Sequence, residues 1–291
     1  MIWADGSAFD RCRPRIRTPA RRQPLRAALA LAQGAPVATL LVLLALASLT
    51  FALFPGLDLA ISGLFAVPGE GFPLARNETL LAIRDLNRAL PIWIAVALLM
   101  ALLGRGVWGA RSRLPPPHAL LHVLGVYLVA CLGIVHILKN TMGRARPEHI
   151  LLFGGNKTFT LPWQISNACH SNCSFSSGEA ASAMAMLALA YLAPRGWRAP
   201  VALALTLPGL VFSLNRIAFG SHFLSDVVIS WLIVATTILA LRSITHSYGA
   251  RIDAGVDGQW REPLLGAARH VALTGRMAWV RTRWLFLRAA A

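Results

Sequence analysis

The sequence predicts an all-α integral membrane protein with six transmembrane helices. Three observations carry this reading. Hydrophobic residues make up 56% of the 291 residues, only 14% are charged, and the mean hydropathy is +0.58. The apolar residues are gathered into runs close to the roughly 20 residues that a helix needs to cross a bilayer. Arginines flank those runs in the alternating pattern that orients successive spans. Lipid offers backbone N–H and C=O groups no partners, so continuous apolar runs of this kind are read as helices.

Taken in order, residues 1–35 form a basic tail with Arg11, Arg13, Arg15, Arg17, Arg21, Arg22 and Arg26, assigned to the cytoplasm. Six runs follow, at about 36–54, 90–107, 119–138, 178–194, 199–214 and 223–241, within a domain spanning 36–242. The first is too long for a signal peptide and is followed by further spans, so it reads as a signal anchor. The fourth and fifth are short, and their apolarity and basic flanks support them together. With the N-terminus inside, Arg105, Arg111 and Arg113, then Arg195 and Arg198, then Arg242 all fall on the cytoplasmic side. Pro115–Pro117 break the chain between spans two and three. Segment 55–89 is external; its stretch Asn77–Ala89 is expected to lie along the membrane surface, turning Arg76, Arg84 and Arg88 to headgroups or solvent. Residues 243–291 form a second basic tail, amphipathic or disordered, with Trp260, Trp279 and Trp284 among its arginines.

The formal charge of +16 and the pI near 11.5 would suggest a nucleic-acid partner in a soluble chain. Here the arginines are membrane flanks, and no basic stripe with interleaved aromatics stands apart from them. The expected partners are membrane lipids, with no nucleic acid.

Some cations break the orientation rule. Lys139, Arg144 and Arg146 follow span three and Arg216 follows span five, both at external ends. Charge near a bilayer is costly, so cations converging on one membrane face imply a bound anion. Lys139 and Arg146 lie two helical turns apart, which would place them on one face of a helix that Pro147 then ends. Ser174-Phe175-Ser176-Ser177-Gly178-Glu179 stands at the start of span four, where free N–H groups form an anion cradle or an ordinary helix cap. His222 and Asp226 have the i,i+4 spacing at which a helix would bring the carboxylate to one imidazole nitrogen, leaving the other free as a nucleophile.

Together these clusters resemble the type 2 phosphatidic acid phosphatase superfamily. Its signature is a lysine, six residues, then Arg-Pro; a Pro-Ser-Gly-His segment; and Ser-Arg, five residues, His, three residues, Asp. Lys139 and Arg146-Pro147 match the first element, and Arg216, His222 and Asp226 match the third, with Asn215 in place of serine. The resemblance covers roughly residues 50–242. It implies metal-free lipid phosphate hydrolysis at an external phosphate site formed by helix ends, with no cofactor. His222 would become a phosphohistidine while Asp226 orients its ring. Lys139, Arg146, Arg216, Ser177 and Gly178 would hold the phosphoryl oxygens.

The middle element departs from this pattern, reading Ser176-Ser177-Gly178-Glu179, so Glu179 stands where the family has its general acid. Three explanations compete: Glu179 is the acid, an external histidine (His149 or His170) supplies the proton, or phosphate is bound without efficient turnover. The Ser-Gly-Glu variant after a cysteine-rich segment is similar to the bacterial lipid A 4′-phosphatase branch. That implies a lipid A phosphate as substrate, with phosphatidylglycerol phosphate and undecaprenyl pyrophosphate as runners-up. It also implies a site on the periplasmic face of a bacterial inner membrane. A phosphotransferase and a non-catalytic lipid-binding or lipid-transporting protein are the competing classes. Cys169 and Cys173 close the external loop 148–175 either as a disulfide or as two free thiols. Together with His170 they are too few and too close in sequence for a metal site.

Overall fold

The computed structural model describes residues 34–263 and, past them, 266–267, 270–271 and 274. The basic N-terminal tail, with Cys12, and Trp279 and Trp284 of the C-terminal tail lie outside the described residues. Within them the chain is helical, with isolated bridges (Val67 with Gly71, Ile150 with Lys157) and no strand.

Five helices are long and apolar enough to cross a membrane: α1 (Pro36–Leu53), α3 (Glu78–Trp108), α4 (Pro117–Thr141), α6 (Arg198–Ala218) and α7 (Leu224–Ser247). The short α2 (Gly56–Gly63) links the first two, and α8 (Gly249–Val256) follows the last. The remaining apolar run forms α5 (Gly178–Leu192), which is shorter than the rest. Its first 8 residues are α-helical and its last 7 are 3₁₀. At about 1.5 Å per α residue and about 2.0 Å per 3₁₀ residue it reaches about 26 Å, close to the roughly 30 Å of bilayer hydrocarbon. Stretching the second half lets a short run cover nearly the length of a full span.

The stretch Asn77–Ala89 does not lie along the surface as a separate helix. Asn77 caps α3 by accepting the Leu80 N–H, and the helix then runs unbroken for 31 residues through Pro91. The apolar stripe of Ile83 and Leu90 packs on the buried cluster of Ala183, Met186 and Phe212. Tertiary burial therefore makes the stretch the N-terminal part of the second span.

The core is built from α4, α5 and α7: Leu120, Val123, Val126, Ala130, Ala181, Ala185, Ile229 and Val234 are all buried in one cluster. Alanines on α5 let these helices approach closely, as van der Waals packing in lipid requires. The middle of α4 winds as a π-helix over Tyr127–Val135 before returning to α-helix at His136–Thr141. Such insertions are frequent at functional sites, and this one immediately precedes Lys139.

The expected continuous helix from Lys139 to Arg146 is not formed. α4 ends at Thr141, and Gly143 adopts φ +65°. A Cβ on Gly143 would lie 1.6 Å from the carbonyl oxygen of Ser166, so side-chain-free backbone is needed for the turn and for the loop that crosses it. Beyond α7 the chain folds back across the opposite end of the bundle. Arg105 pairs with Asp257 at 2.6 Å, and the Trp260 N–H donates to Gly106 O at 3.0 Å, so this part of the second basic tail is packed. Gly143→Ala is expected to destabilise the fold by more than ~2 kcal/mol through strain and overlap, read as a lowered thermal unfolding midpoint in detergent.

Candidate active site

Four backbone hydrogen bonds fasten the sequence clusters to one another. The Cys173 N–H donates to Lys139 O (3.1 Å), Ser174 to Arg144 O (2.9 Å), Glu148 to Gly220 O (2.9 Å) and Ser177 to Asp226 O (3.4 Å). The C-terminal ends of α4 and α6 and the starts of α5 and α7 thereby meet. Cys169 and Cys173 are joined in a disulfide, with Cys173 fully buried against the end of α4.

His222 sits just before α7 rather than on it. Phe223 occupies the cap position, and Asp226 accepts the Phe223 N–H at 2.8 Å. The i,i+4 helical contact is therefore not what holds the imidazole. His222 Nδ1 is 2.8 Å from Ser174 O and 3.7 Å from Asp226 Oδ2. A carbonyl can only accept, so Nδ1 carries a proton, and in the neutral ring Nε2 then presents its lone pair. Asp226 acts on the ring at one remove: its Oδ2 accepts the Ser174 hydroxyl at 2.5 Å, fixing the residue whose carbonyl holds Nδ1.

Arg144 is not an anion-binding cation. It is buried, with every contact directed at the protein: Nη1 to Asp226 Oδ1 (2.5 Å) and Ser225 Oγ (2.8 Å), Nη2 to Asp58 Oδ2 (2.8 Å), and Nε to Thr160 O (2.9 Å). Its guanidinium also lies 4.3 Å over the Phe223 ring. Asp58, from α2, accepts Ser225 N–H (2.8 Å) and Oγ–H (2.6 Å) as well. The sequence did carry a signal for Asp58, a lone acid in the apolar stretch Leu57–Ile61, of the kind that is costly at a membrane unless paired. Ser174 carried none, because it acts through its backbone carbonyl and an ordinary hydroxyl.

Of the cations expected to hold phosphate, Arg216 is in contact with Glu179. Its Oε2 is 3.0 Å from Arg216 Nε and 3.4 Å from His222 Nε2, while its Oε1 is 2.9 Å from Arg88 Nη2. Arg216 Nη1 and His222 Nε2 are buried and otherwise without hydrogen-bond partners, a cation and a lone pair converging on one small space. Arg88, expected to face headgroups or solvent, reaches into this cluster from α3. Lys139 Nζ lies 3.8 Å from where a Gly178 Cβ would stand, which places the lysine beside the α5 N-terminus. Ser177 caps that helix through its hydroxyl (3.3 Å to Ala180 N). Arg146 is partly exposed, with Nη2 donating to Asn172 O at 3.0 Å and Nη1 3.5 Å from Glu148. His149 and His170 are exposed and make no hydrogen bond or ion pair with this cluster. Among the described residues no group of three or more His, Cys, Asp or Glu could hold a metal.

This arrangement, an oriented imidazole facing a carboxylate inside a ring of arginines and a lysine, is suited to an in-line phosphoryl transfer. The PAP2 superfamily profile matches residues 120–249, which span the whole cluster apart from Asp58 and Arg88. A lipid A 4′-phosphatase of Rhizobium leguminosarum is 32% identical over 211 residues, covering 68% of this chain and 91% of that protein. The chain belongs to the PAP2 superfamily. A second lipid A 4′-phosphatase, from Francisella tularensis subsp. novicida, is 28% identical over 181 residues, 61% of this chain and 81% of its own length. The PAP2 fold itself is seen in the crystal structure of a transmembrane PAP2-type phosphatidylglycerolphosphate phosphatase from Bacillus subtilis. That structure superposes with a TM-score of 0.52 at 16% identity, covering 72% of this chain and 96% of the other.

Removing Arg144 leaves two buried carboxylates facing each other without a counter-ion. Arg144→Met is expected to cost ~3–5 kcal/mol, seen as loss of monodisperse protein or a large drop in thermal midpoint. In Asp58→Asn one of those carboxylates is gone, and the added Arg144→Met change should then cost less than it does in wild type.

Proposed function

We propose that this PAP2 protein is a membrane lipid phosphatase that hydrolyses a phosphomonoester, with lipid A phosphate the favoured substrate, through a phosphohistidine at His222. The observation that carries the lipid reading is a groove. A cleft of about 1030 Å³ runs from Lys139, Asn172 and Gly178 down between α3 and α4, walled by Ile92, Val96, Leu99, Leu124, Leu128 and Leu132. It joins a cationic site to an apolar channel along the membrane-spanning helices, which suits a phosphate attached to an acyl chain and suits a soluble phosphate ester poorly.

The chemistry follows from the site. His222 Nε2 attacks phosphorus, the bond from phosphorus to the lipid oxygen breaks, and that oxygen takes a proton. Water then attacks the phosphohistidine and releases inorganic phosphate. Lys139, Arg146 and Arg216, with the N–H groups at Ser177 and Gly178, offset charge on the transferring group. In the substrate-free site the Glu179 carboxylate holds the arginines that the phosphoryl group needs. An incoming phosphate displaces it. A carboxylate that has lost both arginines and faces a phosphate dianion takes up a proton, and in that form it can donate to the leaving oxygen. Placeholder and acid are then successive roles of one side chain.

The positive-inside distribution supports six spans, counting α5, with the site on the periplasmic face of a bacterial inner membrane. The relatives named lipid A 4′-phosphatases support the substrate, and phosphatidylglycerol phosphate and undecaprenyl pyrophosphate are its alternatives.

Purified protein in detergent with EDTA is expected to release phosphate from lipid A, and His222→Ala to lower the rate at least a thousandfold. Release from none of the three lipids, with binding retained, would favour a transferase or a non-catalytic binder. Glu179→Gln is expected to lower kcat by about ten- to a thousandfold for lipid substrates, and much less for an ester whose leaving group needs no proton, such as p-nitrophenyl phosphate. Filling the groove with Leu128→Trp should raise KM for the lipid several-fold while leaving p-nitrophenyl phosphate hydrolysis near wild type.

A further inference from the structure

The spans that carry the catalytic cluster have a second polar assembly at their other ends. There the start of α4, the end of α5, the start of α6 and the end of α7 enclose a cavity of about 790 Å³ whose lining includes Arg195, Arg198, Arg242, His246, His118 and Asp253. Asp253 is the one acid in this lining, and it is already engaged. Its Oδ1 accepts the His118 backbone N–H at 2.9 Å and its Oδ2 lies 2.8 Å from His118 Nδ1, which pins α8 to the start of α4. Arg198 is held in place, with Nε donating to Ala193 O at 3.1 Å and its guanidinium 4.6 Å over the Tyr191 ring. Among the described residues neither it nor Arg195 nor Arg242 pairs with a carboxylate, whereas Arg105 at the same end of the bundle does.

Arginines flanking spans need only be near the interface to satisfy the positive-inside rule. Three from two segments distant in sequence, Arg195 and Arg198 at the start of one span and Arg242 at the end of the next, line one cavity, with Arg198 stacked and fixed, and like charges so placed repel one another unless an anion lies between them. We infer that this cavity binds the phosphate of an anionic membrane phospholipid from the leaflet opposite the catalytic site. Guanidinium groups match phosphate oxygens in geometry as well as charge. Basic pockets between transmembrane helices take phospholipid head groups in the same way. The surroundings favour a lipid over a free ion. Pro36 and Leu239 give the cavity apolar wall, and Trp197 and Tyr248 stand exposed beside its arginines, as aromatic side chains do at the membrane–water boundary. The ligand chemistry is thus a phosphodiester head group joined to acyl chains. Such a diester is no substrate for phosphomonoester hydrolysis, so occupancy here is separable from turnover.

The test uses the full chain in a neutral detergent, with phosphatidylglycerol, phosphatidylcholine and inorganic phosphate as probes and native mass spectrometry and thermal unfolding as readouts. Wild type is expected to retain phosphatidylglycerol in preference to phosphatidylcholine and to be thermally stabilised by it. Arg195→Gln/Arg242→Gln is expected to bind it at least tenfold more weakly, and Arg195→Lys/Arg242→Lys to keep most of the affinity. Arg216→Ala, altered only in the catalytic cluster, should bind it as wild type does. Wild-type phosphatase activity in the glutamine variant shows that it is folded; if it is not, the lysine variant and Arg216→Ala still decide the matter. Equal retention of phosphatidylglycerol by the glutamine variant, loss of retention in Arg216→Ala, or equal retention of the two lipids would overturn the proposal. Displacement of the lipid by millimolar inorganic phosphate would assign the cavity to the free ion and overturn the lipid as its ligand.

Discussion

Arg144 lies between Asp58 and Asp226 with all three side chains excluded from solvent, and the catalytic cluster is assembled around that contact. A buried ion pair is weak evidence for stability, because desolvating the charges can cost as much as their attraction returns. What this one does supply is position. The guanidinium fixes one Asp226 oxygen, which leaves the other to hold the Ser174 hydroxyl and the Phe223 N–H. Ser174 in turn presents its carbonyl to His222 Nδ1. Through Asp58 the same arginine ties α2 to the first turn of α7, so a helix far away in sequence helps set where the imidazole points. The planar fork of arginine suits this use, since several of its donors engage at once in fixed directions, which a lysine could not reproduce.

The cations nearest His222 pose the opposite problem, since a site proposed to take a phosphate dianion must persist when none is bound. Arg216 is buried beside Lys139 and within reach of Arg88, and unopposed they would repel. Glu179 resolves this by standing among them. A histidine, the residue the family pattern leads one to expect at this position, would be neutral or positive and could not do the same for Arg88 and Arg216 together. The carboxylate and the additional arginine from α3 therefore make sense as a pair. This gives a physical reason for the departure at residue 179 that does not depend on how the leaving group is protonated.

Much of this was legible in the sequence, and the gaps have particular causes. Apolar runs gave the spans because lipid exposure demands apolar residues over a fixed length. α5 was the hardest to recognise because 3₁₀ winding lets it use fewer residues, and hydropathy does not register winding. Lys139, Arg146, Arg216, His222 and Asp226 were singled out by residue type and spacing and Glu179 by its place in the family pattern, and the fold brings their segments to one end of the bundle. The helical reasoning attached to two of those spacings did not hold. Gly143 turns the chain between Lys139 and Arg146, and Phe223 starts α7 after His222, so both pairs are brought together by turns and partners distant in sequence. Asp58 was overlooked although a lone acid in an apolar stretch is itself a signal, because its partner lies eighty-six residues away; the part played by Ser174 exists only in the folded state, since it acts through a backbone atom. Arg144 was noticed and assigned the wrong role, since a sequence shows a charge without showing which way it faces.

The distribution of charge along the spans then separates arginines that hold the fold from arginines that meet a ligand. Arg144 and Arg105 each have a buried or half-buried carboxylate partner on another element, and both lie where segments distant in sequence must be joined. Arg216 has a partner that belongs to the same cluster, Glu179 in the first turn of α5, whose carboxylate also meets Arg88 and lies near His222. Arg195, Arg198 and Arg242 have none among the described residues. A partner on a distant element marks a strut, a partner shared among several cations marks the proposed phosphate site, and convergence without a partner leaves a place for an anion from outside the chain. Net charge treats all of these arginines alike; only their partners distinguish the clamp behind His222, the substrate site and the cavity at the opposite face.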